Sequence, residues 1–261
     1  MLRNYTEDVK QLLEGRNVMN IRGVAHRGYP VEYPENTLSS FQAAIEMGFT
    51  HMELDVHLSK DGVPVVMHDA KIDRMTDGQG QIRHYTFQEL RKFLIKGKEK
   101  IPSLAEVLRL AKDKIIVSIE LKNPNLYKGV EEKVIQVVQS LNMMDQVYFI
   151  SFDYKSLVKI RKLSTEAELG PLVNKIKRTH FRLMENLNAK YVAVRYDGIK
   201  EKYIQKCEEK GIQLVAWTVN TKEQMINVQR YPSILNTTDE LEKYRNHFYP
   251  HLKVKKEQLI I

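Results

Sequence analysis

Short apolar runs rich in β-branched residues recur along the chain at Ile21–Ala25, His51–Leu58, Ile115–Leu121, Val147–Ser151, Glu168–Leu172, Tyr191–Arg195, Gln213–Val219 and Ser233–Asn236. Each has the length and composition of a strand. Most of the gaps carry apolar residues at three- and four-residue spacing, as in Leu38/Phe41/Ala44/Ile45, Leu104/Val107/Leu108/Ala111 and Val130/Val134/Val137/Val138/Leu141. That is the period of a helix with one buried face. Strands alternating with such helices predict a parallel sheet covered by helices. Eight units over residues 21–236 match the size and order of a (β/α)8 TIM barrel, an α/β fold. An open doubly wound sheet is the rival, but no glycine-rich nucleotide loop supports it.

One further run, Val63–His68, breaks the alternation. Only Ser59-Lys60-Asp61-Gly62 separates it from the strand before, too short for a parallel crossover, and Asp-Gly is a hairpin turn signal. The run is predicted to fold back antiparallel. The polar residues 69–101 that follow, with Asp77-Gly78-Gln79-Gly80, read as a small insertion above the barrel after its second strand and hairpin. The whole chain, 1–261, reads as a single barrel domain.

The second strand carries the first sign of chemistry. Met52, Leu54, Val56 and Leu58 alternate with His51, Glu53, Asp55 and His57. If the apolar face meets the helices, two carboxylates and two imidazoles point into the lumen. Buried carboxylates are costly unless something cationic meets them, and Glu53 and Asp55 are spaced to share one hard cation. Taken alone, the same pattern also fits a half-exposed antiparallel strand with a solvated polar face. Neighbouring strand ends favour the lumen: the first ends in His26-Arg27, the third carries Glu120 and Lys122, and the hairpin ends in His68-Asp69. In such barrels active sites lie at the C-terminal ends of the strands.

This inventory fits hydrolysis at phosphorus. Three carboxylates, Glu53, Asp55 and Glu120, would hold a divalent metal. Arg27 and Lys122 would balance phosphodiester charge. His26 and His68 would supply an acid and a base, in an order the residues leave open.

Composition narrows the partners. The net charge of +8 raises nucleic acid or an acidic membrane, but the basic residues are interleaved with acidic ones and form no recognised nucleic-acid module. The excess favours small phosphate-bearing ligands or a solvated surface. No apolar run spans a bilayer, and the first twenty residues carry Glu7, Asp8 and Glu14 where a signal peptide needs an apolar centre. Cytoplasm is the default compartment. Cys207, the single cysteine, excludes an internal disulfide. In QKCEEKG it reads as a surface residue rather than a nucleophile. His51 is expected deep in the barrel, His57 beyond the mouth where the hairpin turns away, and His84, His180, His247 and His251 at the surface.

AHRG, PENT, the Glu53-Leu54-Asp55-Val56 strand, KDGVPVVMHD and IELK, in this order, resemble the glycerophosphodiester phosphodiesterase family. IDRMTDGQG, IPSLAEVL, ISFD and AWTVN add to the resemblance, which runs from about residue 21 to 241. It implies a barrel cleaving glycerophosphodiesters, such as glycerophosphocholine or glycerophosphoethanolamine, to sn-glycerol 3-phosphate and an alcohol. His26 and His68 match the catalytic histidines, Glu53, Asp55 and Glu120 the ligands of Mg²⁺ or Ca²⁺, and Arg27 and Lys122 the phosphate contacts. Either water or the glycerol 2-hydroxyl would attack first. Glu35 and Asn36 fall on PENT, as substrate contacts or as scaffold for a helix cap. Trp217, the only Trp, matches an aromatic cover for the glycerol and fits a core position equally. The last strand departs from the family's usual ending, with Asn236-Thr237-Thr238-Asp239 at that rim. The extensions 1–20 and 242–261 lie outside the match, as packing helices or as a basic tail touching membranes or a neighbouring subunit. Two rivals remain: a lysophospholipid or other lipid phosphodiesterase, and an inactive barrel kept as a binding module. The mark of the second would be a lost histidine or carboxylate, and all five are present.

Overall fold

The computed structural model describes residues 20–122 and 124–252. Strand β1 (Ile21–His26) leads to helix α1 (Leu38–Glu46), and β2 (Phe49–Leu58) turns into the antiparallel β3 (Pro64–Val66). Helix α2 (Phe87–Leu90) and the ribbon β4 (Leu94–Ile95) and β5 (Glu99–Lys100) follow. The chain then alternates α3 (Leu104–Ala111), β6 (Ile116–Leu121), α4 (Val130–Ser140), β7 (Val147–Ser151), α5 (Tyr154–Leu163) and β8 (Glu168–Val173). It continues with α6 (Arg178–Asn186), β9 (Tyr191–Arg195), α7 (Glu201–Glu209), β10 (Gln213–Trp217), α8 (Lys222–Gln229), β11 (Leu235–Thr238) and α9 (Leu241–Phe248). β1, β2 and β6 to β11 pair in parallel, and β1 touches both β2 and β11, which closes the predicted eight-stranded barrel. The hairpin lies outside it, with Val56 opposite Val66.

Polar residues start the helices. Thr37 caps α1 through Ser40, and Ser103 with Glu106 and Thr221 with Gln224 form reciprocal boxes on α3 and α8. Met52, Leu54, Val56 and Leu58 of β2 share one core with Phe41 of α1 and Leu104, Val107 and Leu108 of α3. With that face committed, the pleat sends His51, Glu53, Asp55 and His57 the other way, and all four are buried. The middle of the lumen is packed by Val24, Tyr148, Ile150, Leu172, Tyr191, Val215 and Leu235, with the two tyrosine rings stacked at 3.9 Å. His51 lies at this level edge-on to Tyr148, and burial lowers its imidazole to about 3. The packed floor confines polar chemistry to the mouth.

Several expectations need correcting. The insertion is not merely polar: Ile72, Met75, Ile82, Leu90, Ile95 and Ile101 form a separate small core with Val65 and Met67. Its short elements set no period, so these apolar residues showed no helical or strand spacing. Cys207 is buried, because α7 turns it inward with Ile204 while its charged neighbours face water; burial pushes the thiol up to about 12. The last strand runs to Thr238 rather than Asn236, which brings Asp239 to the mouth. Of the C-terminal extension, α9 packs on the barrel, where the Tyr244 hydroxyl donates to the Arg22 carbonyl at 2.9 Å. Residues 1–19 and the basic end 253–261 lie outside the described residues. His84 and His251 are exposed as expected, while His180 and His247 are half-buried. Among the described residues, no helix is long and apolar enough to cross a membrane.

Candidate active site

β1 stops at His26 because the backbone reverses there. Arg27 and Gly28 both take positive φ, 58° and 86°, and a Cβ on Gly28 would meet the Ser40 backbone at 2.6 Å. Glycine alone fits that approach. The turn is pinned on both sides: the Arg27 amide donates to the Glu53 carbonyl at 3.1 Å and approaches the Glu53 carboxylate at 3.2 Å, and the Arg27 carbonyl accepts from Asn36 and Ser40. This turn brings the imidazole and guanidinium to one place.

PENT divides by residue. Thr37 caps α1. Asn36 donates to Asp55 Oδ2 at 2.9 Å and accepts from the Asp55 amide at 3.3 Å. Glu35 accepts from Arg27 at 3.1 Å and from Arg74 of the insertion at 2.7 Å. The cap and the site are the same turn.

Oxygens of Glu53, Asp55 and Glu120 converge to within 4.8 Å of one another, the last two from neighbouring strands in register. Burial, followed by the Asp55 and Glu120 charges, raises Glu53 well above the usual carboxylate range. Burial and Asp55 likewise raise Glu120 to about 6. Burial opposes the Asp55 charge as well, but Arg27 at 3.4 Å and Lys122 at 3.6 Å, helped by Asn36, hold it below its ordinary value. Lys122 Nζ also meets Glu120 at 3.0 Å; the two carboxylates overcome burial and keep its ammonium charged. Glu53 Oε1 is buried with no hydrogen-bond partner among the described residues. Three crowded carboxylates, one with an orphaned oxygen, form an oxygen-only donor set that suits a hard divalent cation.

The histidines flank this cluster, each backed by an aspartate. His26 Nδ1 meets Asp239 Oδ1 at 2.7 Å, and its Nε2 lies 3.9 Å from Glu53. Asn220 holds Asp239, donating to Oδ2 at 2.6 Å and accepting from its amide at 2.9 Å. Burial opposes ionisation of Asp239, but His26 and Asn220 together hold its carboxyl below the ordinary value. On the opposite side His68 Nδ1 meets Asp69 at 2.7 Å, and Arg74 donates to the far Asp69 oxygen at 2.6 Å. The Arg74 bond, before the others, lowers Asp69 to about 2. His68 Nε2 lies 3.3 Å from the Lys122 ammonium. An ammonium only donates, so Nε2 accepts and the ring proton is on Nδ1. Burial, then Arg27 and Lys122, lower the His68 pKa despite nearby Asp55.

His57 is buried behind His68 rather than turned away. The Tyr127 hydroxyl is 2.8 Å from its Nδ1, and its Nε2 is 3.0 Å from the His68 carbonyl. A phenol that donates to Nδ1 leaves Nε2–H to hold that carbonyl. Trp217 ends β10, half-buried, packing on the lumen floor and edge-on against Phe152 at 5.9 Å. It serves core and mouth at once.

A model described as the glycerophosphoryl diester phosphodiesterase family matches residues 26–243. The chain belongs to that family. It is 35% identical over 211 residues to the glycerophosphodiester phosphodiesterase of Caldanaerobacter subterraneus, covering 77% of this chain and 87% of that protein. A crystal structure of the Thermotoga maritima glycerophosphodiester phosphodiesterase superposes with a TM-score of 0.70 at 31% identity, covering 87% of this chain and 97% of that one. An Oleispira antarctica phosphodiesterase, solved with the product sn-glycerol-3-phosphate, gives 0.78 at 26% identity, covering 87% and 96%.

Membership of this enzyme family agrees with the geometry. His26, Arg27, Glu35, Asn36, Glu53, Asp55, His68, Glu120 and Lys122 form one linked group, and Trp217 stands on the facing rim. Asp239, Asn220, Asp69 and Arg74 were not among the predicted site residues. Asp69 lies in KDGVPVVMHD, Arg74 in IDRMTDGQG and Asn220 in AWTVN. Asp239 stood at the rim whose sequence departed from the family.

Proposed function

We propose that the chain hydrolyses glycerophosphodiesters to sn-glycerol 3-phosphate and an alcohol, with His26 and His68 as the proton-transfer pair. What carries this reading is the placement of two aspartate-backed imidazoles on either side of a three-carboxylate cluster, with Arg27 and Lys122 between them. Glu53, Asp55 and Glu120 would hold one Mg²⁺ or Ca²⁺, which when bound polarises the phosphoryl oxygen. Arg27 and Lys122 meet the remaining phosphate oxygens, one as a planar fork and the other as a point charge.

His68 takes the proton of the attacking water, because its Nε2 lone pair faces the site. His26 gives a proton to the leaving alkoxide as the bond from phosphorus to the headgroup oxygen breaks. Each transfer contributes about 10²–10⁴-fold. Asp69 and Asp239 each hold a proton on Nδ1, so that both Nε2 atoms face the reacting centre, that of His68 as a lone pair and that of His26 with the proton it gives. A cleft of about 500 Å³ beside His68 is lined by Asp69, Lys71, Asp73, Arg74 and Lys122. That polar lining favours a small polar headgroup over an acyl-bearing one.

Glycerophosphocholine hydrolysis, followed as released glycerol 3-phosphate, tests the activity. A diester with a nitrophenolate leaving group tests the roles. His26→Ala should recover most of its activity on that substrate, since the leaving group needs no acid, while His68→Ala should not. The reverse pattern would exchange the two assignments, and no release from either diester would sink the reading.

A further inference from the structure

The mouth has a second face that the chemistry above does not use. Three of the six most exposed large apolar side chains among the described residues follow β6 and β7 at the mouth, Leu126 and Phe152 in the loops and Tyr154 at the first position of α5. They are 42%, 50% and 52% exposed. The two loops are joined, since Asn125 Nδ2 donates to Asp153 at 2.9 Å. Phe152 extends the patch to Trp217, so apolar surface reaches from the end of β7 across the ends of β8 and β9 to β10.

Charge on this sector is one-sided. Residues 124–129, 152–155, 174–178 and 196–200 hold six basic and two acidic side chains, and all six basic ones are exposed. Both acids are already engaged. Asp153 accepts from Asn125 and from the Lys155 amide, and Asp197 is gripped by Arg195 at 2.6 and 2.9 Å. Lys175, Lys177 and Arg178 are left facing solvent together. Their loop is held against the loop after β9, where the Gly198 position sits on the Asn174 carbonyl with no room for a side chain.

We propose that this sector docks on an anionic lipid surface, with Leu126, Phe152 and Tyr154 entering the headgroup layer and the lysines and arginine meeting lipid phosphates. Exposed apolar and aromatic tips beside exposed basic groups are what an interfacial anchor needs, and each basic residue near an anionic leaflet adds to the attraction. A nucleic acid or an acidic protein would satisfy the charges but leave aliphatic Leu126 without a partner. Docking here would set the polar cleft beside the lipid–water boundary. The docking rests on the proposed activity only for its purpose, and the binding experiment does not depend on turnover.

The test is sedimentation of the full chain with phosphatidylcholine vesicles, with and without phosphatidylglycerol. Wild type should pellet with the anionic vesicles and not with the neutral ones. Lys175→Glu/Lys177→Glu should weaken partitioning by about tenfold or more, and Leu126→Ser/Tyr154→Ser should weaken it as well. Both pairs should hydrolyse soluble glycerophosphocholine at the wild-type rate, which shows that they fold. A variant with Lys253, Lys255 and Lys256 changed to alanine should still pellet. Failure of wild type to pellet would overturn the proposal, as would unchanged binding by the Lys175/Lys177 pair. So would loss of binding only in the terminal variant, or tighter binding to duplex DNA than to vesicles.

Discussion

Around the mouth, the ends of β11, β1, β2 and β6 carry Asp239, His26, Arg27, Glu53, Asp55, Glu120 and Lys122, while the ends of β7 to β10 carry Ser151, Val173, Arg195 and Trp217. Both halves are built from the same strand–loop–helix unit. In the first half nearly every polar atom is held by another: Asp55 by Asn36, Arg27 and Lys122, and each histidine by its aspartate. In the second half the conspicuous groups are the exposed Phe152 and Tyr154 and the exposed lysines. Chemistry needs side chains fixed to fractions of an ångström, and ion-pair networks in a low-dielectric lumen supply that. A surface contact needs only exposure and charge. The barrel places the two requirements on opposite arcs of one opening.

The largest effect that would test this division is metal removal. Chelation should lower turnover by about 10³-fold or more, with Mg²⁺ or Ca²⁺ restoring it; rates unchanged after verified stripping would dismiss the carboxylate half as a metal site. Next come the histidines. His26→Ala and His68→Ala should each reduce kcat on glycerophosphocholine by about 10²–10⁴-fold, whereas Phe152→Ala should act mainly on KM, by less than about tenfold. Comparable losses in kcat from Phe152→Ala would erase the distinction between the halves.

A finer test lies behind His26. Asp239→Asn keeps the shape but presents an amide to Nδ1, and kcat should fall by about 10–100-fold with KM little changed. Circular dichroism would confirm folding, and an unaltered kcat would show that Asp239 merely fills the rim.

The smallest effect belongs to the other side of the barrel and involves stability alone. The Cys207 thiol is held up to about 12 by burial, from an ordinary 9.0. The unfolded chain loses that proton first, so stability is complete below about pH 9 and drains as pH rises toward 12. At about pH 10.5, wild type should have lost about 2 kcal/mol relative to Cys207→Ala, compared with the difference at pH 8. Urea midpoints of the two proteins at both pH values give the answer; a constant gap would mean that the thiol is not buried in solution.

The site was legible wherever function and period coincide. In β2, strict alternation of apolar and polar residues put Glu53 and Asp55 on one face, and the charged ends of the neighbouring strands turned that face inward. The Asp-Gly turn likewise determined that β3 reverses and delivers His68. Asp239 was hidden because the end of the last strand, Asn236-Thr237-Thr238, is neither apolar nor alternating, and its strand conformation comes from pairing with β1 and β10. Cys207 was misplaced because a lone cysteine among charges gives no face until the helix phase is known from Ile204.

The sequence by itself determined the barrel, the lumen-facing carboxylates and the two histidines delivered to its mouth, because side-chain period and turn chemistry are local properties. Only the tertiary structure decided which aspartate backs which imidazole, that Lys122 faces the His68 lone pair, and that Phe152 and Trp217 meet across two intervening strands. Those contacts join residues far apart in the chain. Barrel closure fixes them, and no local pattern encodes the distance across a lumen.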